Sequence, residues 1–266
     1  MRAQVAHKPI NLSKASWNSF GDTIGSYLGM DLRATAHASQ MPADVLEFAY
    51  LHYCELALSS FDMPATPEEL AAAFHKSELI AIALDSDTLV GLSMGSLCVI
   101  PGTSRQVFYV SGTFTDPSIR RLGVNTRLIY AIVELAYPEL LQGIFGMWGQ
   151  TITFVVRTQA YSVYHGFRKG FSGAAKVGEH PGSDLQEAID AVADAFGWIL
   201  DKDNIQRDVY SRRLLRHLVP TLGEHDAIVM AGRYTWSLHM VVSIALRTVY
   251  PIRYLLQGLR SEQRKK

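Results

Sequence analysis

The chain has 266 residues, of which 48% are hydrophobic and 19% are charged, so it holds ample material for a packed core. Basic and acidic residues number 25 each, which gives a formal net charge of zero. This balance argues against the binding of nucleic acid through the overall electrostatic field of the protein.

Cysteine usage and the lengths of the apolar runs indicate the compartment. Cys54 and Cys98 are the only cysteines, and neither stands in a metal-binding spacing. Two isolated thiols argue against a disulfide framework and for a reducing environment. No apolar run is long enough for a signal-peptide core or a membrane span. We therefore expect a cytoplasmic protein that holds no metal.

Two helices are predicted after an N-terminal segment, residues 1–41, whose weak periodicity allows no assignment. From Pro42 to about Leu56, apolar residues recur with the spacing of one helical face. A second, short helix is predicted from the pair Thr66-Pro67 to about Lys76, because this pair supplies an N-cap and a proline at the first helical position.

Three strands are predicted next. Residues 79–84 and 89–100 are apolar runs separated by Asp85-Ser86-Asp87, a sequence typical of a turn. They are expected to form an antiparallel hairpin. Residues 107–115 are rich in β-branched and aromatic side chains and predict a third strand.

The loop after the third strand leads directly into a helix, a combination that favours phosphate binding. The first N–H groups of a helix have no intrahelical partner, and the positive end of the helix dipole adds to their attraction for anions. Gly123 lets the backbone approach a ligand, and Arg120 and Arg121 can donate charge-assisted hydrogen bonds to a diphosphate. Asn125 fits the N-cap of the helix. A plain turn is the alternative interpretation.

The remaining elements are predicted from composition and periodicity. They are a strand at 151–156, a short helix at 159–167, a linker at 173–183, amphipathic helices at 184–200 and 207–218, a strand or short helix at 227–234, and a mostly apolar helix at 236–259.

This order of elements resembles the GNAT superfamily of acyl-CoA N-acyltransferases. The pyrophosphate loop of that family reads Arg/Gln-x-x-Gly-x-Gly/Ala, and Arg120 and Gly123 match its first two defined positions, whereas Asn125 replaces the last. The resemblance implies an α/β fold with a GNAT-like mixed, mostly antiparallel sheet flanked by helices. It covers a core at 42–171 and leaves a largely helical C-terminal extension at 172–266, which would cover or shape the acceptor site.

The same resemblance implies an activity and a donor site. The expected reaction moves an acyl group from acyl-CoA, with acetyl-CoA as the expected donor, to an amine of a small molecule. A backbone N–H near Ser111, Gly112 and Thr113 would polarise the thioester carbonyl, and the mid-strand glycine fits a bulge or a close ligand approach. The loop residues expected to bind the donor are Arg120, Arg121, Leu122, Gly123, Val124 and Asn125.

Four residues are candidates for proton transfer. Tyr164 resembles the family's tyrosine that protonates the leaving thiolate, and Tyr161 is its rival; a core role is the alternative for both. His165 can serve as a general base, since its ordinary pKa lies near neutrality. Asp116 is either a base or substrate contact or a turn residue. The third strand carries no carboxylate, where many family members hold their base, so transfer through water or a neutral amine stays open.

Two other functions remain open. Asn125 and basic residues of the C-terminal part favour a donor carried by tRNA or a carrier protein. These basic residues are Arg207, Arg212, Arg213, Arg216, Arg253, Arg260, Arg264, Lys265 and Lys266. The missing strand carboxylate instead favours a catalytically silent GNAT-like binding module. The apolar helix at 236–259 is expected to pack over the fold or to form a homodimer contact, with a membrane surface as the alternative.

Overall fold

The computed structural model describes residues 16–62, 66–120, 122–137, 149–210 and 214–236. The strands within this part of the chain are β1 (Asp22–Tyr27), β2 (Met30–Thr35), β3 (Leu79–Asp85), β4 (Thr88–Val99), β5 (Gln106–Thr115), β6 (Thr151–Thr158), β7 (Ile205–Gln206) and β8 (Ala227–Thr235). The helices are α1 (Ala43–Leu58), α2 (Pro67–His75), α3 (Val124–Ala136), α4 (Tyr161–Gly170) and α5 (Ser183–Phe196).

All of these strands lie in one sheet of eight, in the spatial order β1-β2-β3-β4-β5-β6-β8-β7. Neighbouring strands are antiparallel except β5 and β6, which run parallel. The predicted fold class, a mixed and mostly antiparallel sheet flanked by helices, is confirmed. The GNAT-like order of two helices, three strands, a loop, a helix, a strand and a short helix is present.

Helices cover both faces of the sheet, as the alternation of buried side chains shows. Ala81 and Phe154 face the layer of α3 and α4, whereas Ile82 packs under α1 and α2 and Val155 under α5. Successive residues of a strand point to opposite faces. Helices α1, α2 and α5 therefore share one face, and α3 and α4 share the other.

An N-terminal hairpin extends the sheet where the sequence allowed no assignment. Strand β1 buries little besides Tyr27, so its pattern does not alternate visibly. Strand β2 does alternate, with Met30, Leu32 and Ala34 buried. Residues Leu28 and Gly29, both at positive φ, make the turn between the two strands.

The C-terminal part corrects one prediction and sharpens another. The predicted helix at 207–218 is wrong for its described residues, 207–210 and 214–218, which are irregular. Tyr210 and Leu214 pack against the layer of α1 and α2, and tertiary contacts of this kind override a helical pattern. The segment predicted as a strand or short helix is strand β8, which lies between β6 and β7. The predicted helix at 236–259 lies outside the described residues from 237 onward, as do the basic residues at its end.

Candidate active site

Strands β5 and β6 separate at their carboxyl ends. They pair over three positions only, the last of which joins Val110 to Val156. Both strands continue beyond this pair, β5 to Thr115 and β6 to Thr158. A gap therefore opens between two parallel strands at the edge from which β5 leads to α3.

A β-bulge lies at the mouth of this gap. On β4, Gly95 pairs with Val110 and Met94 pairs with Gly112, so Ser111 has a pairing partner on neither neighbouring strand. A bulge of this kind leaves the backbone of the extra residue outside the ladder. The β-bulge that the mid-strand glycine predicted is present beside Gly112.

The side chains around the bulge hold it in place. The hydroxyl of Ser77 donates to the carbonyl of Ala73 at 2.7 Å, so the Ser111 hydroxyl donates to Ser77, with 2.6 Å between the two oxygens. A Cβ at Gly112 would come within 2.8 Å of Phe114 Cε2, so a larger residue here would force its neighbours or the strand to shift. The Ser111 side chain is thus anchored to the end of α2, while the peptide backbone stays at the opening.

A cavity of about 460 Å³ lies between the last residues of β5 and the start of α3. Its walls include Thr113 of β5, Arg120, and the helix residues Val124 and Asn125. The Thr113 hydroxyl is hydrogen-bonded to Ser93 at 3.0 Å. The structure therefore brings one of the three predicted strand residues, Thr113, to the same cavity as four of the predicted loop residues, Arg120, Gly123, Val124 and Asn125.

The start of α3 has the geometry of an anion site, with one correction to the prediction. Gly123 is the N-cap residue and adopts φ +82°, so the prediction that Asn125 is the N-cap is wrong. A left-handed backbone at this position favours glycine, and Asn125 moves to the second helical position. The amide of Arg127 donates the first bond, to the Gly123 carbonyl at 3.0 Å. The amides of the preceding helical residues face the cavity side of the helix end without intrahelical acceptors.

Two side chains of the loop and the helix start, Asn125 and Arg120, line the cavity. The oxygen Oδ1 of Asn125 is buried and has no hydrogen-bond partner among the described residues, although Asn125 lines the cavity. Arg120 is exposed, and its nearest hydrogen-bond acceptor is the Ser59 carbonyl at 3.5 Å. Arg121 lies outside the described residues.

Asp116 shapes the loop. Its carboxylate caps the short 3-10 turn Pro117–Ile119 by accepting hydrogen bonds from the Ser118 hydroxyl and the Ser118 amide, the latter at 2.8 Å. These hydrogen bonds lower the pKa of Asp116. A carboxylate with a lowered pKa is a weak base, so the geometry favours the turn role of Asp116 over the base role.

The candidate residues of α4 form a group of their own. Tyr164 is buried, and its hydroxyl accepts a hydrogen bond from the amide of Val177 at 3.4 Å. Tyr161 is 43% exposed and its ring stacks against His165, with 5.8 Å between the ring centres. Within the described part of the chain, no hydrogen bond or ring contact links these three residues to Ser111 or to the loop.

Three site residues could not be identified from sequence. Tyr27 of the N-terminal hairpin donates a hydrogen bond from its hydroxyl to the Leu122 carbonyl at 3.1 Å. Ser77 anchors the bulge, and Arg157 lies one position beyond the last pair of β5 and β6. Of the three, only Arg157 has a signal in the sequence, because it is an arginine that interrupts an apolar strand. The contacts of Tyr27 and Ser77 join segments that are far apart in the chain.

Among the described residues, no group of three or more His, Cys, Asp or Glu side chains is arranged to hold a metal ion. A search of the same residues finds no helix with the length and apolar character needed to cross a membrane.

Comparison with known proteins finds similarity among solved structures only. No family model and no curated protein sequence matches the chain. The ribosomal-protein-S18-alanine N-acetyltransferase of Escherichia coli is 12% identical, with a TM-score of 0.36 over 77% of this chain and 96% of that one. A GNAT family N-acetyltransferase of Escherichia coli in complex with CoA is 16% identical, with a TM-score of 0.38 over 57% and 73%. The IAA acetyltransferase of Bacillus cereus is 14% identical, with a TM-score of 0.37 over 76% and 99%. Values this low carry no argument about function.

Proposed function

We propose that this chain is an N-acyltransferase that moves an acyl group from acyl-CoA, with acetyl-CoA as the expected donor, to an amine of a small molecule. One observation carries the proposal. The unpaired Ser111 stands at a gap between parallel strands, and two residues further along β5, Thr113 lines a cavity that reaches the first turn of α3. A long ligand with a diphosphate at one end and a reactive carbonyl at the other fits this arrangement.

The diphosphate end is assigned to the start of α3. Helix amides beyond Gly123 and the guanidinium of Arg120 supply donors for phosphate oxygens. The side-chain amide of Asn125 has its Oδ1 buried, so its NH2 group is the end that can donate to the same oxygens. These groups support phosphate binding even though the last position of the loop motif is not a small residue.

The thioester end is assigned to the bulge. An amide N–H of the unpaired backbone at Ser111 or Gly112 would hydrogen-bond to the carbonyl oxygen and stabilise the negative charge that develops on it. The amine nitrogen attacks the carbonyl carbon, a C–N bond forms, and the C–S bond breaks. The amine loses a proton, and the sulfur of CoA takes one up.

Proton transfer is assigned to α4 and to water. The Tyr164 hydroxyl accepts its hydrogen bond from Val177, which leaves its own proton available for the leaving thiolate. Tyr161 is the rival donor. His165 is exposed and can remove the proton of the amine through water, unless the amine binds in its neutral form.

Two basic residues of the C-terminal part already have carboxylate neighbours, which favours free acyl-CoA over a tRNA-borne or carrier-borne donor. Arg207 is held by Asp201 and Asp226, both at 2.6 Å, and Arg216 lies near Asp62. Arginines with carboxylate neighbours attract a polyanion weakly. We further infer that the segment from 172 to 236, which includes these residues, shapes the acceptor side of the opening.

An acetyl-transfer assay tests the function, with release of free CoA thiol as the signal and a panel of primary amines as acceptors. The wild type is expected to release thiol in an amine-dependent manner. Replacing Arg120 and Arg121 together by alanine should weaken acetyl-CoA binding in calorimetry by about 1.5–3 kcal/mol for each charge-assisted hydrogen bond that is removed. If none of the amines on the panel supports thiol release, the result would favour the silent binding module. Equal affinity in both proteins would contradict the loop assignment.

A further inference from the structure

The gap between β5 and β6 has a second face, opposite α3. Extending the register of the last pair, Val110 and Val156, places Arg157 of β6 level with the bulge at Ser111. Val155 and Tyr109 belong to the core under α5, so Arg157, two positions beyond Val155, points toward the same face. An acceptor that enters from the face opposite α3 reaches the bulge beside this arginine.

The guanidinium of Arg157 is held in place but not neutralised. It lies over the ring of Trp198, 4.7 Å from the ring centre, and its Nη1 donates to Gln206 Oε1 at 3.0 Å. Within the described residues, no carboxylate lies within 4.0 Å of it. Arg207, by contrast, is fixed between two carboxylates. The Arg157 charge is thus oriented by an aromatic ring and an amide, and its Nε and Nη2 have no hydrogen-bond partner in the described part of the chain.

The neighbouring residues add positive charge. Lys76, at the end of α2, donates to the Phe196 carbonyl at 3.2 Å and lies over the Phe196 ring. It too has no carboxylate partner among the described residues. Tyr109 contacts the same aromatic pair, Phe196 and Trp198. Burial raises the pKa of Tyr109, and the charge of Arg157 acts in the opposite direction. Arg157 and Lys76 are therefore two cations on this face of the sheet without a carboxylate partner among the described residues.

We propose that the acceptor is an amine that also carries a carboxylate, and that Arg157 binds this carboxylate while the amine faces the thioester at the bulge. The planar guanidinium presents parallel N–H groups that match the two oxygens of a carboxylate. Stacking on Trp198 and the bond to Gln206 fix its plane before the acceptor arrives, which reduces the entropy lost on binding. This inference rests on the proposed acyl transfer and narrows its substrate class.

The test compares free L-amino acids with their carboxamides, which keep the amine and lose the charge. With acetyl-CoA as donor, the wild type should use at least one acid with a kcat/KM at least roughly tenfold above that of its amide. Arg157→Gln should lower kcat/KM for the acid by roughly 10- to 100-fold, mainly through KM, and leave the amide nearly unchanged. Arg157→Lys should restore part of the preference because it keeps the charge but not the planar fork.

Two controls separate the roles. Arg105→Gln removes a charge on the α5 side that is paired with Glu187 at 3.1 Å, and it should not change the ratio of acid to amide. Acetyl-CoA affinity, measured by calorimetry, should be equal in wild type and Arg157→Gln. If acetyl-CoA does not bind the wild type at all, the proposed function fails.

The inference fails by itself in two cases, each with acetyl-CoA binding intact. In one, acids and amides are used equally, or none of the acids is acetylated. In the other, Arg157→Gln lowers the rates for acid and amide alike, as expected of a residue that only supports the fold.

Discussion

The hydroxyl of Tyr27 donates a hydrogen bond to the carbonyl oxygen of Leu122 at 3.1 Å, across 95 residues of sequence. The same hydroxyl would lie 3.1 Å from a Cβ placed on Gly123. The N-terminal hairpin thus holds the loop whose next residues begin α3. Tyr27→Phe should therefore weaken acetyl-CoA binding by about 2- to 10-fold, the range expected for one hydrogen bond, as measured by calorimetry.

The matched control for this variant is Tyr137→Phe. The Tyr137 hydroxyl is buried and has no hydrogen-bond partner in the described part of the chain, so its removal breaks no bond seen there and should leave acetyl-CoA affinity unchanged. An unchanged affinity in Tyr27→Phe would show that the hairpin does not position the loop.

A second prediction uses two glycines with the same backbone conformation. Gly123 has φ +82° and Gly178 has φ +79°, and a Cβ at Gly178 would have no heavy atom within 4 Å. Gly123→Ala and Gly178→Ala should each lose about 1–2 kcal/mol of unfolding free energy in urea, because alanine is strained in the left-handed region. Only Gly123→Ala should lose acetyl-CoA affinity. A loss in both variants, or in neither, would contradict the assignment of the loop.

A third prediction concerns the bulge. Gly112→Ala places a Cβ against Phe114 and Met94, at 2.8 and 3.0 Å, so either these side chains or the strand must shift at the opening. The rate of thiol release should fall, by about 100-fold if the carbonyl loses its backbone donor. Acetyl-CoA affinity should change little, since the phosphates are bound elsewhere. A normal turnover rate in a folded Gly112→Ala protein would exclude this backbone as the carbonyl donor.

A fourth prediction compares the two tyrosines of α4. Tyr164→Phe should lower kcat while the dissociation constant of acetyl-CoA barely moves, because only the proton for the leaving thiolate is lost. Tyr161→Phe, which changes an exposed ring, should keep its rate. The reverse order of effects would assign the role to Tyr161, and full rates in both would leave it to water.

A fifth prediction follows the direction of a pKa. Hydrogen bonds from Ser118 hold the pKa of Asp116 below its ordinary value of 3.8, so the carboxylate contributes stability above that value and loses it as pH falls through the lower folded pKa. In a carboxyl NMR titration, Ser118→Ala should raise the pKa of Asp116, while the backbone amide keeps part of the shift. A pKa that does not move would contradict the capping geometry.

The sequence predicted the features that depend on neighbouring residues. The hairpin of β3 and β4, the loop before α3 and the glycine beside the bulge follow from turn residues, periodicity and backbone freedom, which act over a few residues. The N-terminal hairpin was not predicted because β1 buries little besides Tyr27. Residues 207–218 have helical periodicity, yet the carbonyl of Leu214 accepts a hydrogen bond from the amide of Asp62. A contact between segments so far apart cannot be predicted from the local sequence pattern.

The site residues that lie close together in the sequence could be predicted, whereas contacts between distant segments could not. Arg120 and Gly123 were identified from one short motif. The assignment of Asn125 as the N-cap failed because Gly123 takes that position with a positive φ. The contacts of Ser77 with Ser111 and of Arg157 with Trp198 join segments 34 and 41 positions apart, and only the folded sheet brings them together.

The central claim is that the start of α3 binds the phosphates of an acyl-CoA whose thioester lies at the bulge. It is tested most directly by calorimetric titration of the wild type with acetyl-CoA and with S-acetylpantetheine, which carries the thioester without any phosphate. Acetyl-CoA is predicted to bind at least roughly 100-fold more tightly, since the diphosphate supplies several charge-assisted hydrogen bonds. Equal affinities, or no binding of acetyl-CoA, would contradict it.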